Sequence, residues 1–226
     1  MFMINHLVGF GANTPAAPLA TRVFTDSEGH PAVSETTHTF TAKSLGTAAS
    51  DRIIVIAGGS GGSNPAVTGV TVGGNSCTEA IQFADTARAW IYYVALPTGT
   101  TGDVVVTFAS AEFRSIIGVY ALYGASGGPS STASGGGTNG TVVTGNIVKK
   151  KNGVCFGACF QTGFDPATED HAYTNLTKDA EVTADASGSG SVASEEVAAD
   201  VTETITVVSD EIDGRHPLVA AHWEAA

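Results

Sequence analysis

The sequence predicts an all-β protein, an antiparallel β-sandwich of roughly a dozen short strands. Helix signals are nearly absent, because no stretch of about ten residues places apolar side chains at positions i, i+3, i+4 and i+7. Short β-branched or aromatic runs recur instead, each followed by Gly, Asn, Asp, Ser or Pro. The 226-residue chain contains 28 glycines, and in this context glycine is typical of turns between many strands.

The first half of the chain shows strand patterns separated by turns. Arg52–Ala57 is a continuous apolar run, which indicates a central strand buried on both faces. Gly58–Asn64 is expected to be a flexible loop, and Gly73–Asn75 is expected to be a hairpin turn. The predicted strands are Thr37–Lys43, Arg52–Ala57, Val67–Val72, Cys77–Phe83, Ala87–Leu96, Val104–Phe108 and Phe113–Tyr123.

The second half is expected to complete sheets that begin in the first half, giving two packed sheets. Thr141–Val148 and Val154–Gln161 are expected to form a hairpin across Lys149–Gly153. The Gly- and Ser-rich segment 124–140 fits either a linker between two domains or a long surface connection within one, and we favour the second. Later predicted strands are Glu181–Asp185, Ser191–Val197, Glu203–Val208 and Leu218–Glu224. We therefore predict an irregular N-terminal arm over residues 1–36 and a single β-sandwich domain over residues 37–226.

Charge excludes some classes of partner. The formal net charge is −12, with 10 Lys plus Arg against 22 Asp plus Glu. Nucleic acid and anionic membranes are bound by clustered basic side chains, so neither is an expected partner. The basic cluster Lys149–Lys151 precedes Asn152-Gly153 and is expected to be a solvated turn. No apolar run approaches the roughly 20 residues that span a bilayer, and the chain starts without a signal-peptide pattern.

Motifs that carry chemistry are absent from the sequence. The six histidines form no HExxH pattern, and neither a GxSxG elbow nor a phosphate-binding P-loop is present. Asp210–Gly214 lacks the spacing of a calcium loop, and a solvated acidic turn is expected there. Cys77, Cys155 and Cys159 have no metal-binding spacing and are expected to be buried free thiols. We therefore expect no catalytic residue, no metal and no cofactor.

Several of these segments resemble small jelly-roll-like structural proteins of tailed bacteriophages. The resemblance begins at Asp51–Ala57 and covers most of the chain from about Thr37 onward. It continues through Val67–Gly73, Ala89–Tyr92, Leu96–Thr100, Gly102–Phe108, Ser191–Ser194 and Leu218–Trp223. It implies a jelly-roll-like, non-enzymatic virion protein that is assembled in the host cytoplasm, either a capsid decoration (cement) protein or a tail or fibre component. Other virion proteins, such as the major capsid or tail proteins, would be its partners. A homo-oligomer is expected, and a trimer would fit capsid threefold axes.

Two features suggest how such a protein would make contacts. The N-terminal segment is apolar and irregular, and it can pack on its own domain or serve as an assembly arm on a neighbouring subunit. The apolar residues of this arm are Phe2, Ile4, Leu7, Val8 and Phe10. The alternative function is a carbohydrate-binding host-adhesion module of a tail fibre, in which Trp90, Tyr92 and Trp223 would stack on a host surface glycan. Core packing is the competing explanation for these aromatic residues.

Overall fold

The computed structural model describes residues 18–138, 140–162, 170–209 and 215–226. Within these ranges the structure contains 17 β-strands and no helix. Every strand pairing in the described residues is antiparallel. The predicted all-β, antiparallel sandwich architecture is therefore confirmed.

Nine strands form the first half of the molecule. They are β1 (Thr21–His30), β2 (Glu35–Ser44), β3 (Ile53–Gly61), β4 (Val67–Val72), β5 (Asn75–Ser76), β6 (Thr78–Ala84), β7 (Ala87–Ala95), β8 (Thr101–Glu112) and β9 (Arg114–Tyr123). A first inner sheet has the order β1-β9-β3-β7-β6, and a first outer sheet has the order β2-β8-β4-β5. Every strand predicted in this half is present, with bounds that differ by a few residues at most ends.

Eight strands form the second half. They are β10 (Ser131–Thr138), β11 (Thr141–Lys149), β12 (Val154–Thr162), β13 (Ala172–Thr174), β14 (Thr177–Asp185), β15 (Gly188–Glu196), β16 (Val201–Val208) and β17 (Arg215–Trp223). A second inner sheet has the order β10-β17-β12-β15-β14, and a second outer sheet has the order β11-β16-β13.

The two halves have the same topology. Apart from the short β5, each strand of the first half has a counterpart at the same place in the sheets of the second half. The register of the central strands also agrees, because Ile53 pairs with Ala95 in one half and Val154 pairs with Glu196 in the other. Both residues of the second pair lie 101 positions after those of the first. The structure is thus an internal duplication.

The four sheets are stacked in four layers with three apolar cores. One core lies between the two sheets of the first half and one between the two sheets of the second half. The third core lies between the two inner sheets and joins the halves through residues such as Tyr120, Phe156, Phe160 and Trp223. All nine residues of β3 are buried, as the continuous apolar run in this strand predicted.

Small residues let the inner sheets approach each other closely. A Cβ atom at Gly118 would lie 2.5 Å from Cγ2 of Val192 in the other half, so even one added methyl group would force a shift. Gly58 to Gly61 belong to β3, and the predicted loop at Gly58–Asn64 is therefore wrong over these four residues. Glycine serves packing there, because the strand is buried on both faces.

The prediction that the second half completes sheets of the first is also wrong, because each half closes its own pair of sheets. The predicted hairpin between β11 and β12 does not form. Strand β11 pairs with β16, whereas β12 pairs with β15 and β17. The physical reason is burial. Eight of the nine residues of β12 are buried, so both faces of this strand must be covered by other sheets. An outer sheet is covered on one face only, and β12 therefore lies in the inner sheet.

Two long strands, β1 and β10, were missed where the sequence has few apolar residues, and the short β5 and β13 were not predicted either. Strand β1 lies inside the predicted irregular segment 1–36, and its residues are mostly half-buried. Strand β10 lies inside the predicted loop 124–140 and pairs along its length with β17. The glycines of β10 are needed because a Cβ atom at Gly135 would collide with the carbonyl oxygen of Val143 in β11.

Candidate functional site

The aromatic residues predicted to stack on sugars lie in the cores. Trp90 and Trp223 have no exposed surface, and Tyr92 is 4% exposed. Trp90 and Tyr92 contact the core of the first half, and Trp223 contacts the core between the halves. Their ring faces are covered by neighbouring side chains. The prediction that these three residues stack on a sugar is therefore wrong.

Several other predicted features lie outside the described residues. The proposed assembly arm is among them, with Phe2, Ile4, Leu7, Val8 and Phe10. The acidic turn at Asp210–Gly214 is also outside. The cysteines are described: all three are free, and Cys155 and Cys159 are buried as predicted, whereas Cys77 is only partly buried.

Lys149 is not part of a solvated turn, contrary to the prediction for Lys149–Lys151. Its side chain is 1% exposed and its Nζ lies 2.5 Å from both Glu195 Oε2 and Glu203 Oε1. Nζ also donates to the backbone carbonyl of Asn175 at 2.8 Å. Burial alone would lower the pKa of Lys149, but the hydrogen bonds to the two carboxylates raise it above its usual value. A buried ammonium group with two carboxylate partners is electrostatically satisfied.

A second buried polar cluster surrounds His171 in the second half. His171 Nδ1 lies 2.6 Å from Glu181 Oε1. Burial alone would lower the pKa of His171, but the Cys159 thiol and the Glu181 carboxylate together raise it to about 10. The ring of His216 packs edge-on at 6.1 Å, and burial, with the charge of His171, lowers the pKa of His216 to about 4.

The first half contains a stacked pair of histidines. The rings of His30 and His38 are parallel within 6° and 4.0 Å apart. His38 Nε2 lies 3.1 Å from the carbonyl oxygen of Glu112, which can only accept, so Nε2 carries the proton. Ser115 Oγ then donates to His38 Nδ1 at 2.7 Å. Burial and the neighbouring His30 lower the pKa of His38 to about 4.

The outward face of the second outer sheet is uncharged in its described side chains, in contrast to the acidic character of the chain. We call it the valine–threonine face. Its exposed or half-exposed side chains belong to Thr141, Val143, Asn146, Val148, Ala172, Thr174, Thr202, Thr204, Thr206 and Val208. The alternate residues of the same strands, such as Ile147 and Ile205, point into the core. None of the described side chains on this face is charged.

The outward face of the first outer sheet is its counterpart. Cross-strand pairs such as Thr37 with Thr107 and Thr39 with Val105 form its surface. Asp103 lies on the same face as Val105 and accepts a hydrogen bond from the backbone of Ala42. This face thus carries the carboxylate of Asp103, whereas the described side chains of the valine–threonine face include three valines and no charge.

Two features of β11 explain why Lys149 and the valine–threonine face were not predicted from the sequence. The predicted strand ended at Val148, but β11 includes Lys149. A register shift between Val143 and Asn146 changes which residues point outward. The signal that was available is the spacing of Ile147 and Lys149, which places the lysine on the buried face of the strand.

Comparisons with known proteins give no further assignment: no family model, no curated protein and no solved structure matches this chain. Among the described residues we find no pocket and no group of three or more His, Cys, Asp or Glu side chains placed to hold a metal ion. No helix in the described part of the chain is long and apolar enough to cross a membrane.

Proposed function

We propose that the protein is a non-enzymatic structural component of a tailed-bacteriophage virion, either a capsid decoration protein or a tail-associated component. The observation that carries the proposal is the four-layer stack of two matched sandwiches, which exposes one sheet face at each end. A molecule with a sheet face at each of its two ends is suited to repeated contacts with neighbours in an assembly. Its partners would be further copies of itself and the major capsid or tail proteins.

The strand order supports a jelly-roll interpretation of each half. Strands β1, β9, β3 and β7 are neighbours in one sheet, and β2, β8 and β4 are neighbours in the other. Successive strands from β1 to β4 therefore alternate between the two sheets, as in a jelly roll. The hairpin of β6 with β7 departs from that pattern, because it extends the inner sheet instead of the outer one.

The alternative function is a host-adhesion module that binds a surface glycan. It no longer has Trp90, Tyr92 and Trp223 as its stacking platform, because these side chains are buried. A sugar site would therefore have to use polar side chains of the outer faces or the loops. We keep it as an outcome of the experiment and not as a second proposal.

The experiment is to count this chain in purified phage particles by quantitative mass spectrometry, with the major capsid protein as the internal reference. A copy number that is a simple fraction of the capsid protein supports a capsid decoration protein. A handful of copies supports a tail or fibre component. Absence from particles would overturn the virion proposal, and binding of the purified chain to host polysaccharide would then favour the adhesion module.

A further inference from the structure

We propose that the valine–threonine face is a self-association surface whose occupant is the same face of a second copy of this chain. The inference deepens the proposed structural function and rests on it for its biological meaning. Its physical basis is independent, because it depends on the chemistry of one sheet face.

The apolar side chains that remain exposed are concentrated on the two long strands of this sheet. Val143, Val148 and Val208 on the face are 44%, 42% and 44% exposed. Val201, at the start of β16, is 37% exposed. Three of the eight exposed large hydrophobic residues in the described chain therefore lie on the face itself, since Val201 pairs with the inward-pointing Lys149. Clustered exposed apolar side chains mark interaction surfaces more often than scattered ones do.

The charge of the molecule favours contact through this face. Two copies that each carry a formal net charge of −12 repel one another over most of their surfaces. The described side chains of the valine–threonine face contribute nothing to that repulsion, because they are uncharged valine, threonine, alanine and asparagine. Bringing two such faces together removes apolar area from water without burying a charge.

The molecule already contains a face-to-face contact between two sheets. The two inner sheets, which have the same topology, pack on each other through the apolar core between the halves, together with the ion pairs Arg22–Asp179 and Arg114–Asp185. Two sheets commonly pack face to face. Contact between identical faces about a twofold axis repeats each interaction twice, so one favourable pair counts double.

The size of the face predicts that the association is weak. Nine residues of β11 extend about 30 Å and three strands are about 14 Å wide, so each copy offers roughly 400 Å². The total, roughly 800 Å², is below the usual range of stable complexes. We therefore expect a reversible dimer with a dissociation constant in the micromolar range or weaker, which many copies in one assembly would reinforce.

The test compares the wild-type chain with the double variant V143K/V148K by sedimentation equilibrium, at protein concentrations from about 1 μM to about 1 mM. The matched control is T39K/V105K, which places the same two lysines on the cross-strand pair of the first outer face. Both variants reduce the net negative charge equally, so a general electrostatic effect would act on both. We expect wild type and control to dimerise with increasing concentration and V143K/V148K to associate at least about tenfold more weakly.

The proposal is overturned if the wild-type chain stays monomeric over the whole range, or if V143K/V148K associates as strongly as the control does. An oligomer that both variants form equally, such as a trimer, would place the contact elsewhere. Circular dichroism must show that each variant is folded, and V143T/V148T replaces the lysine variant if it is not. Particle counting does not depend on this result, so the two proposals fail separately.

Discussion

The two halves of the molecule have one topology but fill their interiors in different ways. Large side chains fill the first half, among them Phe40, Leu45, Trp90, Tyr92 and Phe108. Small residues and thiols are prominent in the second half, among them Ala133, Cys155, Cys159, Ala193 and Ala220. Both halves also bury polar side chains, among them His38 and Arg52 in the first half and Lys149 and His171 in the second. The same strand order is thus compatible with a core of large side chains and with a core of small ones.

One pair of equivalent positions shows how the difference is accommodated. Trp90 is the fourth residue of β7 and pairs with Gly58, whereas Ser191 is the fourth residue of β15 and pairs with Cys159. The glycine leaves space for the indole ring. In the second half, the hydroxyl of Tyr173 lies 2.9 Å from Ser191 Oγ, so an aromatic residue from β13 approaches the position where the tryptophan would otherwise lie.

The largest effect is expected from Trp90→Ala. Removal of this fully buried ring leaves a cavity in the core of the first half, which costs about 3–5 kcal/mol of unfolding free energy. Urea denaturation followed by circular dichroism measures this loss. Phe113→Ala is the control, because Phe113 is 42% exposed and its truncation should cost less than about 1 kcal/mol. Equal losses in the two variants would show that the first core is not tightly packed.

The next largest effect is expected from Lys149→Met in the second half. The variant keeps the volume of the side chain but leaves Glu195 and Glu203 without their shared ammonium partner. We expect a loss of about 1–3 kcal/mol, because hydrogen bonds to charged groups are lost.

Lys150→Met is the matched control, since the side chain of Lys150 is 47% exposed and exposed ion pairs contribute little. Because the pKa of Lys149 is raised, its contribution should be complete below about pH 10.4 and should be lost as the pH rises through the folded pKa. A variant as stable as wild type at neutral pH would mean that the buried charge cluster is replaceable by apolar packing.

Gly58→Ala tests the difference between the paired positions directly. The new methyl group would lie 2.5 Å from the carbonyl oxygen of Ile116 and 2.5 Å from the Trp90 ring. Overpacking of this kind costs about 1–3 kcal/mol. In Gly69→Ala the methyl group meets nothing within 4 Å, so that control should change stability by less than about 1 kcal/mol. Thermal unfolding of both variants measures the two changes in stability. An unchanged melting temperature for Gly58→Ala would contradict the packing explanation.

The last predictions concern pH, and their effects should differ in sign between His38 and His171. The pKa of His38 is lowered to about 4, so the unfolded chain binds this proton first, and stability should fall as the pH drops from about 6.5 to about 4. The pKa of His171 is raised to about 10, so its contribution should be complete below about pH 6.5 and should be lost as the pH rises to about 10.

These two windows are separated by measuring unfolding free energy from pH 4 to pH 10. His38→Gln should reduce the loss of unfolding free energy at acidic pH (the acid limb) and leave the loss at alkaline pH (the alkaline limb) unchanged. His171→Gln should do the reverse. His216 and His222 also have pKa values lowered to about 4, so part of the acid limb remains in His38→Gln. If either substitution changes both limbs equally, its effect is on packing and not on proton binding.

The sequence predicted the fold wherever the strands alternate or are continuously apolar. Both bounds of Val67–Val72 agree with β4, and the buried character of β3 was predicted from its apolar run. Strands β1 and β10 were missed because polar or glycine-rich segments form strands only when a partner strand supplies hydrogen bonds. The partner of β10 is β17, more than 75 residues later in the chain.

The internal duplication was not predictable from residue identity. When β3 and β12 are aligned over their nine residues, Ala57 and Ala158 are the single identical pair. What the two halves share is the pattern of pairing and burial, which different side chains can satisfy. The valine–threonine face was missed for a related reason, since it requires three strands that are distant in sequence and a bulge within one of them.

The order of the sheets along the chain has a consequence for biosynthesis. All pairings of the first half lie within residues 21–123, so that half can fold while the ribosome is still translating the second. Until Phe156 and Trp223 arrive, however, the inner sheet has an uncovered apolar surface. The nascent chain is therefore most prone to aggregation, and most in need of a chaperone, during the interval in which residues 124–223 are made.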